Sequence, residues 1–197
     1  MSCVVAYAGS DGVWLGADSA GTAQDLSQDL YTTPKVFRIY TDDGHPIDVG
    51  YVGSYRLGQL IKYFLSPRSP NEGESDEHYL VTGLLPELQS LLRDTGFISQ
   101  GETGREQGGS LLVGFRRRIY IVQEEFDLLE PLHPYAAIGE GAQVALGAMW
   151  VLSRGNISAR ELVISALEAA ASFCATVRPP YVLLSPDGAL HWVERPQ

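Results

Sequence analysis

The 197-residue sequence predicts an α+β fold of four layers, two antiparallel sheets packed face to face with a pair of helices outside each. Three observations carry that prediction. Strand-patterned segments cluster at the start, middle and end of the chain and do not alternate singly with helices, which selects antiparallel sheets over the parallel sheet of an α/β protein. Helical patterns come in two pairs, one after each of the first two strand clusters. Turn residues, Gly9-Ser10-Asp11-Gly12 and Thr41-Asp42-Asp43-Gly44, separate apolar runs at hairpin spacing.

In chain order, Val4 to Ala8 and Val13 to Asp18 read as one hairpin, and Lys35 to Tyr40 and Ile47 to Gly53 as another. Leu57, Leu60, Ile61, Phe64 and Leu65 recur at three- and four-residue intervals, the apolar stripe of a helix. Ser66 to His78 is polar and reads as a loop. A second helix is expected from about Tyr79 to Arg93, with Pro86 as a point of breakage because proline has no N–H to give. Ser99 to Gly109 is a second polar loop. Ser110 to Phe115 and Ile119 to Gln123 form a third hairpin, with the basic run Arg116-Arg117-Arg118 at its turn. Ala142 to Leu152 reads as a helix. Another follows to about Cys174, opened by Ser158 and Glu161 as a capping box. Tyr181 to Leu184, the turn Pro186-Asp187-Gly188 and Ala189 to Val193 close the chain. No repeat divides it, and a single domain over residues 1–197 is expected.

A net charge of -10 repels phosphate backbones and argues against a nucleic-acid partner. No apolar run approaches the roughly 20 residues of a membrane span, and no secretory leader pattern opens the chain. Cys3 and Cys174 form neither a disulfide framework nor a metal motif, and both read as reduced core thiols of a cytoplasmic protein. His45, His78, His133 and His191 are scattered without ligand spacing, so neither a metal nor a cofactor is expected.

Chemistry gathers on Ser2, Asp18, Lys35 and Gly50. A serine hydroxyl holds its proton too tightly to attack an amide unaided. An α-amino group has a pKa near roughly 7.7–8.0 and is partly neutral at cellular pH. If Met1 is removed, as the small Ser2 allows, the amine of Ser2 becomes the base for its own hydroxyl. The charge of Lys35 then eases deprotonation, Asp18 holds Lys35 charged and oriented, and the backbone N–H of Gly50 receives the oxyanion.

Ser2-Cys3-Val4-Val5-Ala6, Gly16-Ala17-Asp18-Ser19-Ala20-Gly21-Thr22, Lys35-Val36-Phe37-Arg38-Ile39, Val49-Gly50-Tyr51-Val52-Gly53, Ala137-Ile138-Gly139-Glu140-Gly141 and Ala166-Leu167-Glu168-Ala169 occur in this order along most of the chain. The set resembles proteasome β-type subunits, and most of all the bacterial HslV-type peptidases. The resemblance implies the N-terminal-nucleophile (Ntn) hydrolase fold, with Ser2 in the place of the catalytic threonine. It implies Asp18 and Lys35 as the acid and the lysine, Gly50 as the oxyanion glycine, and Thr22 and Val52 in segments that bind substrate. Strand alternation then puts Asp48 on the face of Gly50, in the pocket for the residue before the scissile bond, where it favours Lys or Arg. The resemblance further implies rings that enclose the sites, peptide or unfolded-protein substrates, and an ATP-dependent unfoldase as a separate partner, since this chain has no ATP-binding motif. Two residues depart from the family pattern: serine stands for threonine at position 2, and Glu140 stands where a serine is usual. Two other readings use the same residues, a ring-forming subunit that does not cut and an Ntn amidase acting on small molecules.

Overall fold

The computed structural model describes residues 2–22, 27–98 and 108–194. The first strands, β1 (Cys3–Ala8) and β2 (Val13–Ala17), form the expected hairpin. A short ribbon of β3 (Ala20–Thr22) and β4 (Gln28–Leu30) follows, and then β5 (Val36–Tyr40) and the long β6 (Pro46–Gly53). After the helices α1 (Tyr55–Phe64), α2 (Asp76–Tyr79) and α3 (Leu85–Asp94) come β7 (Gly109–Phe115), β8 (Arg118–Val122), β9 (Leu128–Leu129) and β10 (Tyr135–Gly139). The helices α4 (Ala142–Leu152) and α5 (Ala159–Phe173) precede β11 (Tyr181–Leu184) and β12 (Leu190–Val193).

One sheet has the order β10-β1-β2-β11-β12 and the other β5-β6-β7-β8-β9, each antiparallel at every junction. Between them lies a core of Val4, Ala6, Leu15, Val36, Leu112 and Ile138. A second core joins the outer face of the β5–β9 sheet to α1, α2 and α3 through Leu57, Leu60, Tyr79, Leu88 and Leu92. A third joins β1, β2 and β11 to α4 and α5 through Val5, Met149, Leu162, Ala166 and Leu183. The stack is helix, sheet, sheet, helix, as the sequence pattern predicts, because strands at its centre such as β1 and β11 are buried and apolar on both faces.

Three details differ from the sequence reading. The second helical stretch begins at Asp76, capped by Ser75, and passes Pro86 without breaking. Residues Leu80–Leu84 widen into a π turn in which Leu85 N–H donates to Leu80 C=O. This sets Pro86 in the first turn of α3, where its missing N–H costs little. The β3–β4 ribbon, β9 and β10 are too short or too mixed in composition to show a clear period. Cys174 is no core thiol; it caps α5 and is half-buried. The turn at Arg116 and Arg117 is a two-residue hairpin loop with both residues at positive φ, 44° and 68°. The Ser99–Gly109 loop lies almost wholly outside the described residues, as does Met1.

Candidate active site

The hairpin register fixes the first pair of site residues. Val4 faces Ala17, and one step further Asp18 N–H donates to Cys3 C=O at 3.2 Å. The interval between Ser2 and Asp18 is therefore a property of one hairpin. Asp18 turns its carboxylate back across the strand ends, accepting from Cys3 N–H at 3.0 Å and from Ala20 N–H at 3.0 Å.

Lys35, just ahead of β5, reaches this carboxylate from the other sheet. Its ammonium donates to Asp18 Oδ1 at 2.9 Å, to Ser2 Oγ at 2.9 Å and to the Ala20 carbonyl at 2.6 Å. An ammonium has three protons, and each has an acceptor here. Ser2, Asp18 and Lys35 are 5%, 1% and 3% exposed. Burial pushes the Lys35 ammonium below its ordinary value, with the Asp18 carboxylate pulling the other way. The ammonium is thus held charged by its partners in a place that disfavours charge, with one of its three protons given to the Ser2 hydroxyl.

Ser2 and Lys35 line a cavity of about 180 Å³ together with Thr22, Val52, Gly53 and Tyr55. Ser2, Lys35, Thr22 and Val52 are thus brought to one place, with Asp18 behind Lys35. Gly50 and Asp48 are not. Tyr51 N–H donates to Lys35 C=O on the β5 side, and Ser54 N–H donates to Gly108 C=O on the β7 side. Alternation sends the N–H of Gly50 to the β7 side, where Leu112 faces it. Its Cα looks between the sheets, where a Cβ would strike Val4 and Leu15. The donor facing the cavity is Gly53. Alternation turns its N–H to the β5 side, beyond the point where β5 has ended, and the Val52 carbonyl of the same peptide abuts Gly109 on the opposite side. The alternation therefore turns the N–H of Gly53, and not that of Gly50 as expected, toward the cavity.

Asp48 does share the face of Gly50, but that face is the inner one. Asp48 lies directly opposite Arg38 and is bound by it twice, Nε to Oδ1 at 2.6 Å and Nη2 to Oδ2 at 3.1 Å. Burial raises its carboxyl even against the Arg38 charge. It borders a different cavity with Asp11, Gly114 and Pro186 and does not reach Ser2's. The expectation that Asp48 selects basic substrates is overturned by this pairing.

No family model matches the sequence, and no curated protein matches it. Solved structures do match. BPH from Thiobacillus denitrificans aligns with a TM-score of 0.71 over 98% of this chain and 100% of that one, at 17% identity. HslV from Trypanosoma brucei gives 0.65 over 92% and 97%, at 18% identity. The Anbu (Gly-1) mutant from Hyphomicrobium sp. strain MC1 gives 0.71 over 99% and 88%, at 13% identity. The chain has the fold of the proteasome-like Ntn hydrolases.

Within that proteasome-like fold the turn between β10 and α4 wraps the first described residue. Gly141 N–H donates to the Ser2 carbonyl at 3.3 Å, and Gly139, at φ 93°, packs so close to the same oxygen that a Cβ would collide with it. Glu140 stands between these glycines, exposed, and accepts from Thr176 Oγ1 at 2.8 Å. Cys3 points away into the core, and burial holds its thiol up at about 12, which disqualifies it as a nucleophile. Sequence reasoning missed Gly53, Tyr51 and Tyr55. Gly53 carries a usable signal, since it stands one residue ahead of the helix cap Ser54 and so at the open end of its strand.

Proposed function

We propose that this chain is a proteasome-like hydrolase that cleaves peptide amide bonds with Ser2, freed by removal of Met1, as an N-terminal nucleophile. The supporting observation is the buried Lys35 ammonium held between Ser2 Oγ and Asp18 at 2.9 Å each. With Met1 gone, the Ser2 amine takes the Oγ proton while Lys35 stabilises the developing alkoxide. Oγ bonds to the substrate carbonyl carbon, and the resulting oxyanion meets the Gly53 N–H. The protonated amine then gives its proton to the leaving nitrogen as the C–N bond breaks, which leaves an ester on Ser2. Water, deprotonated by the same amine, attacks the ester; the acid product departs and Oγ regains its proton. Thr22 and Val52 flank the substrate chain.

The same reading has the chain self-associating into rings in the cytoplasm and receiving unfolded protein from a separate ATP-dependent unfoldase. Exposed Leu132, Val151 and Phe173 are apolar surface of the kind such contacts cover. Anbu from Pseudomonas aeruginosa forms a helical assembly.

Intact mass of the purified protein, paired with a fluorogenic peptide assay, tests the mechanism. A mass short by one methionine, with turnover abolished in Ser2→Ala, is expected. A full-length mass without turnover refutes it and favours a second reading, an assembling subunit that does not cut. Glu140, set between the two glycines that pack on the Ser2 carbonyl where the family pattern has a serine, is the observation on that side.

A further inference from the structure

A second cavity, of about 240 Å³, adjoins the first and shares Tyr51 as a wall. Thr32, Thr33, Phe37, Gln59 and Lys62 complete the lining that matters here. One face of α1 connects the two places: Tyr55 borders the Ser2 cavity, and Gly58, Gln59 and Lys62 follow it at three, four and seven residues. Seven residues of helix advance about 10 Å, within the combined reach of a lysine and a substrate side chain. Pro34, in the lining of the second cavity, precedes Lys35 in the chain, and Lys35 lines the first.

The chemistry of this lining has one sign. Among the described residues no carboxylate contributes to it. The Lys62 ammonium stands over the rings of Phe37 and Tyr63, 5.9 Å and 5.3 Å from their centroids, and makes no ion pair among the described residues. Hydroxyls of Thr32 and Thr33 and the amide of Gln59 supply neutral polar groups around it. An anionic side chain entering here meets a cation and several donors, whereas a lysine or arginine meets a like charge.

We propose that this cavity receives the side chain of the residue before the scissile bond and that Lys62 makes it selective for Asp and Glu. The proposal rests on the peptidase reading above, and it reverses the charge preference that Asp48 suggested. Lys62 also lies in the last turn of α1, where a cation suits the negative helix end. That role affects helix stability but not the choice among substrates.

The test uses binding, which does not need turnover. Peptides Ac-Ala-Ala-Xaa-NH2, with Glu, Gln or Lys at Xaa, are titrated into full-length Ser2→Ala protein by calorimetry. The Glu peptide is expected to bind roughly fivefold tighter than the Gln peptide, the upper range for a solvent-exposed ion pair. The gap should shrink in 1 M salt, where the screening length is about 3 Å. It should vanish in Lys62→Gln and turn in favour of the Lys peptide in Lys62→Glu. Equal binding of Glu and Gln peptides, a Glu preference that survives Lys62→Gln, or no binding by any of the three overturns the proposal. Turnover by the unaltered protein separates the two readings. Ser2-dependent cleavage after Leu with no Glu preference removes only the role of Lys62, and no Ser2-dependent cleavage of any peptide removes the hydrolase.

Discussion

Replacing Asp18 by Asn isolates the ion pair at the centre of the site without changing side-chain size. The carboxylate accepts three hydrogen bonds, from Cys3 N–H, Ala20 N–H and Lys35. An asparagine amide has one acceptor oxygen and one donor nitrogen. Whichever way it sits, its NH2 faces another donor, and the Lys35 ammonium loses its one anionic partner among the described residues while remaining 3% exposed. Breaking one side of a buried pair costs about 3–5 kcal/mol, a large share of the roughly 5–15 kcal/mol that hold a domain together. For a chain of this size that lowers Tm by about 6–20 °C. Lys35→Met should cost less, because Asp18 keeps both backbone N–H donors and is not left unsatisfied. The double variant Asp18→Asn/Lys35→Met should be more stable than the sum of the two losses allows, since neither charge is then stranded. Urea unfolding followed by circular dichroism, with midpoints and slopes compared across the four proteins, measures the coupling. Two losses that add to within about 0.5 kcal/mol refute the pairing, as does an Asp18→Asn cost no larger than that of Lys35→Met.

The buried Tyr55 hydroxyl has no hydrogen-bond partner among the described residues, and burial raises it to about 12; Tyr55→Phe should leave stability unchanged or raise it by up to about 1 kcal/mol, read as Tm, because an unsatisfied polar atom is removed. The folded-state value of Lys35 lies below the ordinary 10.5, so in the window between the two the unfolded chain binds more protons, and stability due to Lys35 rises as pH climbs through it. Unfolding of wild type against Lys35→Met at stepped alkaline pH should show the difference moving in favour of wild type; a flat or opposite slope contradicts the depressed value. Alkylation with iodoacetamide under native conditions should modify the half-buried Cys174 well before the fully buried Cys3, which should react only in urea; peptide mapping by mass spectrometry tells them apart.

The four-layer stack was legible in the sequence because its strands and helices announce themselves by period. Val13 to Ala17 and Tyr181 to Leu184 are apolar throughout, as strands between layers must be, and Leu57, Leu60 and Ile61 mark a helix face whichever sheet it covers. The meeting of Ser2 with Asp18 was legible for a similar reason, since hairpin register turns a spacing in sequence into a distance. Lys35 was reachable only through resemblance, because the contact crosses from one sheet to the other and no local pattern encodes it. Gly50 and Asp48 failed on a finer point. Period two tells which residues share a face, but not which face looks inward or where the neighbouring strand ends. Three glycines and a valine stand close together at positions 50, 52, 53 and 58, and the sequence does not say which peptide is left without a partner.

That cavity-facing N–H follows from where β5 ends. Were β5 to pair two residues further back than Lys35, Thr33 would face Gly53, and the Gly53 N–H would be spent on the ladder as that of Tyr51 is on Lys35. The chain bends at Thr32 and Thr33, so β5 ends before that pair can form, and the nitrogen of Pro34, which faces away from β6, is tolerated at this outer edge. β6 therefore overhangs β5 at the end where β1 begins and β2 stops. The overhang leaves a donor facing the cavity, and the last paired residue, Lys35, delivers its ammonium there. The bend also moves Thr32 and Thr33 aside to wall the neighbouring cavity with Lys62. One interruption of a strand thus accounts for the free donor, the placement of the lysine and the opening beside them. It also explains why all three lie at the same end of the sandwich, where no single element of the fold is itself unusual.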